Sequence, residues 1–153
     1  MRALCTLLVL GLPAPQIAHS QTQVTLCELI RHPRDYDGKV VTFRATYKYG
    51  FEWQYLYCID CLDGGKTWLE FSGDMDKASE KQLKRSPKDA GIVNLTVQGV
   101  LECCAGFGHL NGYRFQLTAQ RISKVVVLSK GMKPPAQEQQ IEKKCACGGT
   151  NPK

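Results

Sequence analysis

Alternating apolar and polar positions predict five strands in this chain. The alternation is clearest from Val41 to Tyr47, where every second residue is apolar. Two later runs are rich in aromatic and β-branched residues and are joined near Asp63-Gly64-Gly65, a sequence typical of a hairpin turn. The five predicted strands are residues 41–47, 53–59, 66–71, 93–101 and 113–119, with the apolar run 125–128 as an extension of the last.

Two other segments have the periodicity and composition of helices. In residues 24–33 the apolar side chains share one helical face, and Thr25 stands at a capping position three residues before Glu28. Residues 74–86 are polar and helix-favouring, and they end before Pro87, which cannot continue a helix. The predicted order is therefore a helix, three strands, a helix and two strands.

This order is that of the OB-fold, a five-stranded Greek-key barrel. We therefore predict a mainly β fold, an OB-like Greek-key barrel with a short N-terminal helix and a helix between strands 3 and 4. Gly50 and Gly99 lie in or beside strands, where a small barrel needs bulges to bend its sheet. An open α+β sandwich is the alternative, because the number of strands alone does not distinguish the two.

Three segments of the sequence are similar to a known group of proteins. The run CELIRHPRDYDGKVVTFRATYKYG combines a helix, a P-x-x-Y-x-G-K turn and a first strand, and VQGVLE and FGHLNGYRFQL supply the last two strands. Together they resemble small secreted or periplasmic OB-fold proteins, a largely uncharacterised group, over residues 24–128. The resemblance implies a fold and no particular chemistry, because the OB-fold hosts many unrelated functions.

The N-terminus has the layout of a secretory signal peptide. A positively charged start precedes an apolar stretch over residues 3–12, and the small residues Ala18 and Ser20, two positions apart, are typical of a cleavage site. An N-terminal core helix is the alternative, which Pro13 and Pro15 disfavour. We expect a secreted or periplasmic protein with no transmembrane segment in the mature chain. Its predicted parts are a signal peptide at 1–20, an OB-like barrel domain at 21–129 and a flexible, cysteine-containing tail at 130–153.

Eight cysteines among 153 residues are the strongest chemical signal in the sequence. Cys5 would leave with the signal peptide, and in an exported protein the other seven are expected to form disulfides, with one left over. Neighbouring residues of a strand point to opposite faces, so we expect Cys103 and Cys104 not to bond each other. One of them would instead reach across the barrel to another candidate. The candidate disulfide cysteines are Cys27, Cys58, Cys61, Cys103 and Cys104.

A thiolate site is the alternative use of these cysteines. Cys58 and Cys61 have the spacing of a zinc knuckle, and Cys145 and Cys147 would complete four ligands for zinc or copper. Cys145 and Cys147 would otherwise close a small loop or join another chain. Cys58 and Cys61 also have the spacing of a redox pair, although acidic neighbours disfavour the thiolate that such chemistry needs.

Aromatic residues gather in the two loops through which OB-folds commonly bind ligands. Tyr49, Phe51 and Trp53 lie between strands 1 and 2, and Phe107 and His109 lie between strands 4 and 5. Exposed aromatic rings at these positions suit stacking on bases or sugars, or contact with a protein. The alternative is that strand alternation buries most of these aromatic residues, with Tyr47 and Trp53 capping the core.

Charge distribution disfavours nucleic acid as the ligand. Residues 47–71, which include the expected binding face, contain two basic and four acidic residues, whereas nucleic acid requires cations at the contact. The lysines of the predicted helix suit a solvated face, and no pair of carboxylates is placed for acid–base catalysis. We therefore predict a non-catalytic binding or interaction module for a protein, small-molecule or saccharide ligand, with a thiolate metal-binding or thiol-redox protein as the alternative.

Overall fold

The computed structural model describes residues 24–130, with side chains described for residues 24–128. Three short helices occur in this part of the chain: α1 (Leu26–Arg31), α2 (Pro33–Tyr36) and α3 (Lys77–Lys84). The strands are β1 (Val40–Tyr49), β2 (Gln54–Tyr57), β3 (Thr67–Met75), β4 (Gly91–Phe107) and β5 (Tyr113–Lys130), and 3-10 turns occupy Ile59–Gly64 and His109–Asn111. The predicted signal peptide and all but the first residue of the predicted tail lie outside the described residues.

The five strands form one sheet that closes into a ring in the order β1-β2-β3-β5-β4. β1 pairs with β2 on one side and with β4 on the other, and β3 pairs with β5 in parallel, whereas the other neighbours are antiparallel. The mainly β character and the five predicted strands are therefore confirmed, and the sheet is closed rather than open. No helix among residues 24–130 is long and apolar enough to cross a membrane.

The hydrophobic core takes the alternate residues that the sequence pattern indicates. Val41, Phe43 and Ala45 of β1 are buried, and they belong to one cluster with residues from every other strand. Leu26 and Leu29 add the apolar face of α1 to the same cluster. Burial of each large apolar side chain contributes roughly 1.5–3 kcal/mol relative to its exposure to water.

Several boundaries differ from those predicted. β2 ends at Tyr57, before the predicted end at 59. β2 and β3 pair antiparallel, as the predicted hairpin requires, but their connection is longer than a turn at 63–65. It contains the 3-10 turn Ile59–Gly64, with i+3 hydrogen bonds from Cys61 N to Cys58 O and from Gly65 N to Leu62 O. α2, which begins at Pro33, was not predicted.

α3 begins only after Asp76, because β3 continues to Met75 in its pairing with β5. The run 125–128 does extend β5, and a register shift at Gln98/Gly99 marks the expected irregularity near Gly99.

The predicted N-cap of α1 is present. Thr25 Oγ1 accepts a hydrogen bond from Glu28 N at 3.1 Å, which satisfies one of the free N–H groups at the helix start. The Glu28 carboxylate accepts a hydrogen bond of 2.6 Å from the Tyr36 hydroxyl, and this bond raises the pKa of Tyr36. The cap thus begins α1, while Glu28 joins α1 to α2.

Disulfides are present, as predicted. Cys27 in α1 is bonded to Cys61 in the 3-10 turn, so the bond ties α1 to the connection between β2 and β3. Cys58, which follows β2, is also a disulfide cysteine. The expected bond from Cys27 or the Cys58/Cys61 pair to Cys103 or Cys104 is not formed. Cys145 and Cys147 lie outside the described residues.

The expectation that Cys103 and Cys104 do not bond each other is wrong. They form a vicinal disulfide, with Cα atoms 3.7 Å apart. The alternation argument assumed a regular strand, but the register between β4 and β5 shifts between Cys103 and Phe107. Cys104 also has a φ of 71°, in the left-handed region. This backbone departs from the pleat, so the two side chains do not point to opposite faces.

A chain of hydrogen bonds anchors α3 to β5. Asp76 Oδ1 accepts from Ser79 N at 2.9 Å, and Asp76 Oδ2 accepts from Ser79 Oγ at 2.6 Å. Ser79 Oγ in turn accepts from Val125 N at 3.1 Å. The bonds from Ser79 hold the pKa of Asp76 below its usual range. Ser79 is thereby both part of the helix cap and the link to the sheet.

We expect Ser79→Ala to lower the free energy of unfolding by about 1–3 kcal/mol, because the buried Val125 N–H would lose its acceptor. Urea denaturation measures this change. Gln82→Ala, at an exposed position of the same helix, is the control and is expected to change stability by no more than about 0.5 kcal/mol. Equal effects of the two substitutions would contradict the anchoring role of Ser79.

Candidate functional site

A tight turn between β1 and β2 presents the first group of candidate residues. Tyr49 pairs with Gln54, and Gly50 N donates to Trp53 O at 2.8 Å, so Phe51 and Glu52 are the two central residues of the hairpin. A Cβ at Gly50 would clash with the Trp53 ring, which packs directly on this backbone. The turn is therefore short, and it holds Phe51 almost fully in solvent, with 94% of its surface exposed.

The connection between β4 and β5 presents the second group. His109–Asn111 form a 3-10 turn in which Leu110 and Asn111 have φ values of 54° and 55°. Such left-handed backbone is uncommon for residues other than glycine and is often found at functional sites. The preceding Gly108 also has positive φ, and a Cβ there would clash with the Trp68 ring. Close contact between Gly108 and Trp68 thus fixes this turn against β3.

The two turns meet at one cavity of about 350 Å³, which we call the tip pocket. His109 Nε2 lies 4.0 Å from Glu52 Oε2 across it. Both side chains are largely exposed, so this contact is screened by water and adds little stability. The residues that line the tip pocket are Gly50, Phe51, Glu52, Trp53, Gln54, Trp68 and His109.

A row of aromatic rings, which we call the aromatic strip, connects the two tryptophans of the pocket. It consists of Trp53, Tyr55, Tyr113 and Trp68, and neighbouring ring centroids are 5.1–6.1 Å apart. Tilted rings at such distances attract each other beyond the effect of burial. Trp68 Nε1 donates to Glu70 Oε2 at 2.8 Å, and burial raises the pKa of Tyr113. The ring contacts and the hydrogen bond to Glu70 therefore hold Trp53 and Trp68 in place in the wall of the tip pocket.

Cations already lie beside this aromatic strip. The Lys66 ammonium is 4.4 Å from the Tyr55 ring centroid, and the Lys48 ammonium is 5.9 Å from that of Trp53. Both distances are within the range of cation–π attraction.

The structure brings three of the five predicted ligand-binding residues to the tip pocket: Phe51, Trp53 and His109. Phe107 pairs with Tyr113 just before the second turn and does not line the pocket. Tyr49 points elsewhere, because its hydroxyl donates to Pro87 O at 2.9 Å and its ring stacks on Tyr47.

Tyr49 lines a second, larger groove of about 690 Å³ beside α3. Tyr47, Phe71, Met75 and Leu83 supply much of the apolar surface of this groove. Burial raises the pKa of Tyr47 far above its usual value, and its hydroxyl donates to Gln54 Oε1 at 2.9 Å. The alternative prediction, in which Tyr47 and Trp53 cap the core, therefore applies to Tyr47, and Tyr49 also packs against the core, whereas Trp53 lines the tip pocket.

Two residues at or beside the tip pocket, Trp68 and Leu110, were not identified from the sequence. Trp68 lies within a strand, and only its pairing with Tyr55 of β2 places it on the outer face beside the pocket. Leu110 follows His109 in the second turn and is 86% exposed. Phe51 and Leu110 are the two most exposed large hydrophobic residues between positions 24 and 128. An apolar residue inside a glycine-rich loop was the available signal for Leu110.

The cysteines of the alternative prediction are brought together only in part. The sulfur atoms of Cys27, Cys58 and Cys61 lie within 4.8 Å of one another, and Cys58 Sγ is 3.7 Å from Asp60 Oδ2. Cys27 was not among the predicted metal ligands, and Cys145 and Cys147 lie outside the described residues. Because all three clustered cysteines are in disulfides, the described state offers no thiolate ligand.

In comparisons with known proteins, no family model, no curated protein and no solved structure matches the chain.

Proposed function

We propose that this chain is an exported, disulfide-supported OB-type module that binds its ligand at the tip pocket without catalysing a reaction. The strand order β1-β2-β3-β5-β4 and the helix between β3 and β4 support the OB-type assignment. The disulfides support an oxidising compartment, in keeping with the secreted or periplasmic location predicted from the first twenty residues.

One observation carries the binding proposal. Two turns far apart in the sequence converge so that Phe51 and His109 line one pocket with Trp53 and Trp68. Exposed apolar side chains contribute little to folding, and turns that present them next to a cavity are typical of recognition surfaces. The ligand classes that fit are a small molecule, a saccharide or a side chain of a partner protein.

Intrinsic fluorescence tests this proposal, because Trp53 and Trp68 are the two tryptophans of the chain and both line the tip pocket. We expect a saturable change of emission with at least one member of a panel of oligosaccharides, organic amines, organic acids and short peptides. Single-stranded oligo(dT) at low salt is expected to have no effect, because no lysine or arginine is among the residues that line the tip pocket. A compound that binds by calorimetry while the emission stays constant would place binding elsewhere and contradict the proposal.

The cluster of Cys27, Cys58 and Cys61 favours a second candidate function, thiolate metal binding or thiol-redox chemistry. Three thiolates would accept zinc or copper once a dithiol reductant has opened the disulfides. This candidate predicts that reduced protein binds Co²⁺ with a thiolate charge-transfer band and that Cys27→Ser and Cys58→Ser lose most of it. Cys103→Ser/Cys104→Ser is the control. Absence of the band from reduced protein, or its full retention in Cys27→Ser, would contradict the candidate.

A further inference from the structure

We propose that the tip pocket accepts a quaternary or methylated ammonium group, as carried by choline compounds. This inference rests on the proposed function, since it names the ligand class of the same pocket. It follows from the rings that line the pocket, from its charge and from the state of its hydrogen-bonding groups.

The rings supply the first argument. Phe51, Trp53 and Trp68 all line the tip pocket, and Glu52 adds a carboxylate. Several aromatic side chains with an acidic neighbour form the usual protein site for a quaternary ammonium, because the electron-rich ring faces attract the cation while the methyl groups favour an apolar wall. A cavity of about 350 Å³ is large enough for a trimethylammonium group with its adjoining chain.

Charge supplies the second argument. Of the seven residues that line the pocket, Glu52 is the one that carries a charge when His109 is neutral. A cationic ligand would therefore meet the Glu52 carboxylate and three rings among the lining residues, while Lys48, which does not line the pocket, lies 5.9 Å from the Trp53 ring centroid. Lys66 over Tyr55 and Lys48 over Trp53 already lie at distances at which a ring face attracts an ammonium group.

The hydrogen-bonding groups of the wall supply the third argument. Gln54 Nε2 donates to Leu69 O at 2.9 Å, and Gln54 Oε1 accepts from the Tyr47 hydroxyl. Trp68 Nε1 is bonded to Glu70. A saccharide needs several free donors and acceptors around its hydroxyl groups, and the side chains of Gln54 and Trp68 already have partners. A quaternary ammonium carries no N–H group and therefore needs no hydrogen-bond acceptor.

Two sources would present this chemistry, a soluble choline compound and the headgroup of a phosphatidylcholine membrane. Phe51 and Leu110 stand exposed on the turns beside the pocket. The experiment therefore includes both a soluble probe and a vesicle.

Tryptophan emission is titrated with choline and with 3,3-dimethylbutan-1-ol, its neutral analogue of the same shape. We expect a saturable response to choline and an affinity at least about tenfold lower for the neutral alcohol, because the charge supplies much of the attraction. Phe51→Ala and Glu52→Gln are expected to weaken choline binding by about fivefold or more. Phe71→Ala and Asp63→Asn, an exposed ring and an exposed acid away from the pocket, are the matched controls and are expected to leave it within about twofold.

Equal affinity for choline and the neutral alcohol would overturn the ammonium assignment, as would unchanged choline binding by Phe51→Ala and Glu52→Gln. A response to another member of the panel with none to choline would overturn it too, yet leave the binding module in place. Emission that responds to no compound would count against both proposals.

Co-sedimentation with phosphatidylcholine and phosphatidylglycerol vesicles distinguishes the sources. Selective binding to phosphatidylcholine that free choline inhibits supports a lipid headgroup, and choline binding without sedimentation supports a soluble ligand. Selective sedimentation with phosphatidylglycerol would overturn the assignment, because it would show preference for an anion.

Discussion

Replacing both Cys27 and Cys61 by serine is expected to lower the free energy of unfolding by about 3–4 kcal/mol. The bond joins residues 34 apart in the sequence, so its loss releases considerable conformational freedom in the unfolded chain. It also removes the covalent link between α1 and the connection from β2 to β3. Chemical denaturation under non-reducing conditions measures the change, and thermal unfolding should show a fall in Tm of roughly 10–20 °C.

The vicinal disulfide provides the control for this prediction. Cys103 and Cys104 are adjacent in the sequence, so their bond closes almost no loop and constrains the unfolded chain little. Cys103→Ser/Cys104→Ser is expected to cost less than about 1 kcal/mol. If this variant loses as much stability as Cys27→Ser/Cys61→Ser, loop closure does not explain the contribution of the longer-range bond.

The double variant Phe51→Ala/Leu110→Ala is expected to weaken binding of any ligand found through tryptophan emission by at least about thirtyfold. Both side chains are nearly fully exposed, so they are free to lose water to a ligand while contributing little to the fold. The melting temperature should therefore stay within about 2 °C of that of the unmodified protein. Fluorescence titration and differential scanning fluorimetry measure the two quantities.

Leu62→Ala/Phe71→Ala is the matched control, because both residues are partly exposed but lie away from the tip pocket. We expect it to bind with unchanged affinity. Wild-type affinity of Phe51→Ala/Leu110→Ala, or an equal loss in the control, would show that the two turns do not form the binding surface.

The strands were predictable because alternate side chains of a strand point to opposite faces, so the alternation of apolar and polar residues follows burial directly. Val41, Phe43 and Ala45 face the core as their spacing predicted. The convergence of the two loops at Phe51 and His109 followed from the expected strand order, since OB-folds place those loops at one end.

Other features depend on contacts that no local pattern reveals. The Cys103–Cys104 bond requires an irregularity in β4, where the left-handed residue is a cysteine and not a glycine. Trp68 joins the pocket through its pairing with Tyr55 in a register that the sequence does not specify. Tyr49 lies away from the predicted site because its hydroxyl donates a hydrogen bond to the carbonyl oxygen of Pro87, almost forty residues later.

Ligand is expected to bind in the tip pocket. ¹H–¹⁵N NMR titration tests it most directly, because the side-chain indole N–H groups of Trp53 and Trp68 give two separate signals. With choline, and with each compound that alters tryptophan emission, we predict movement of both indole signals and of the backbone amides of Phe51 and His109. Movement confined to residues of the groove beside α3, such as Phe71 and Leu83, with the tip signals unchanged, would contradict the account.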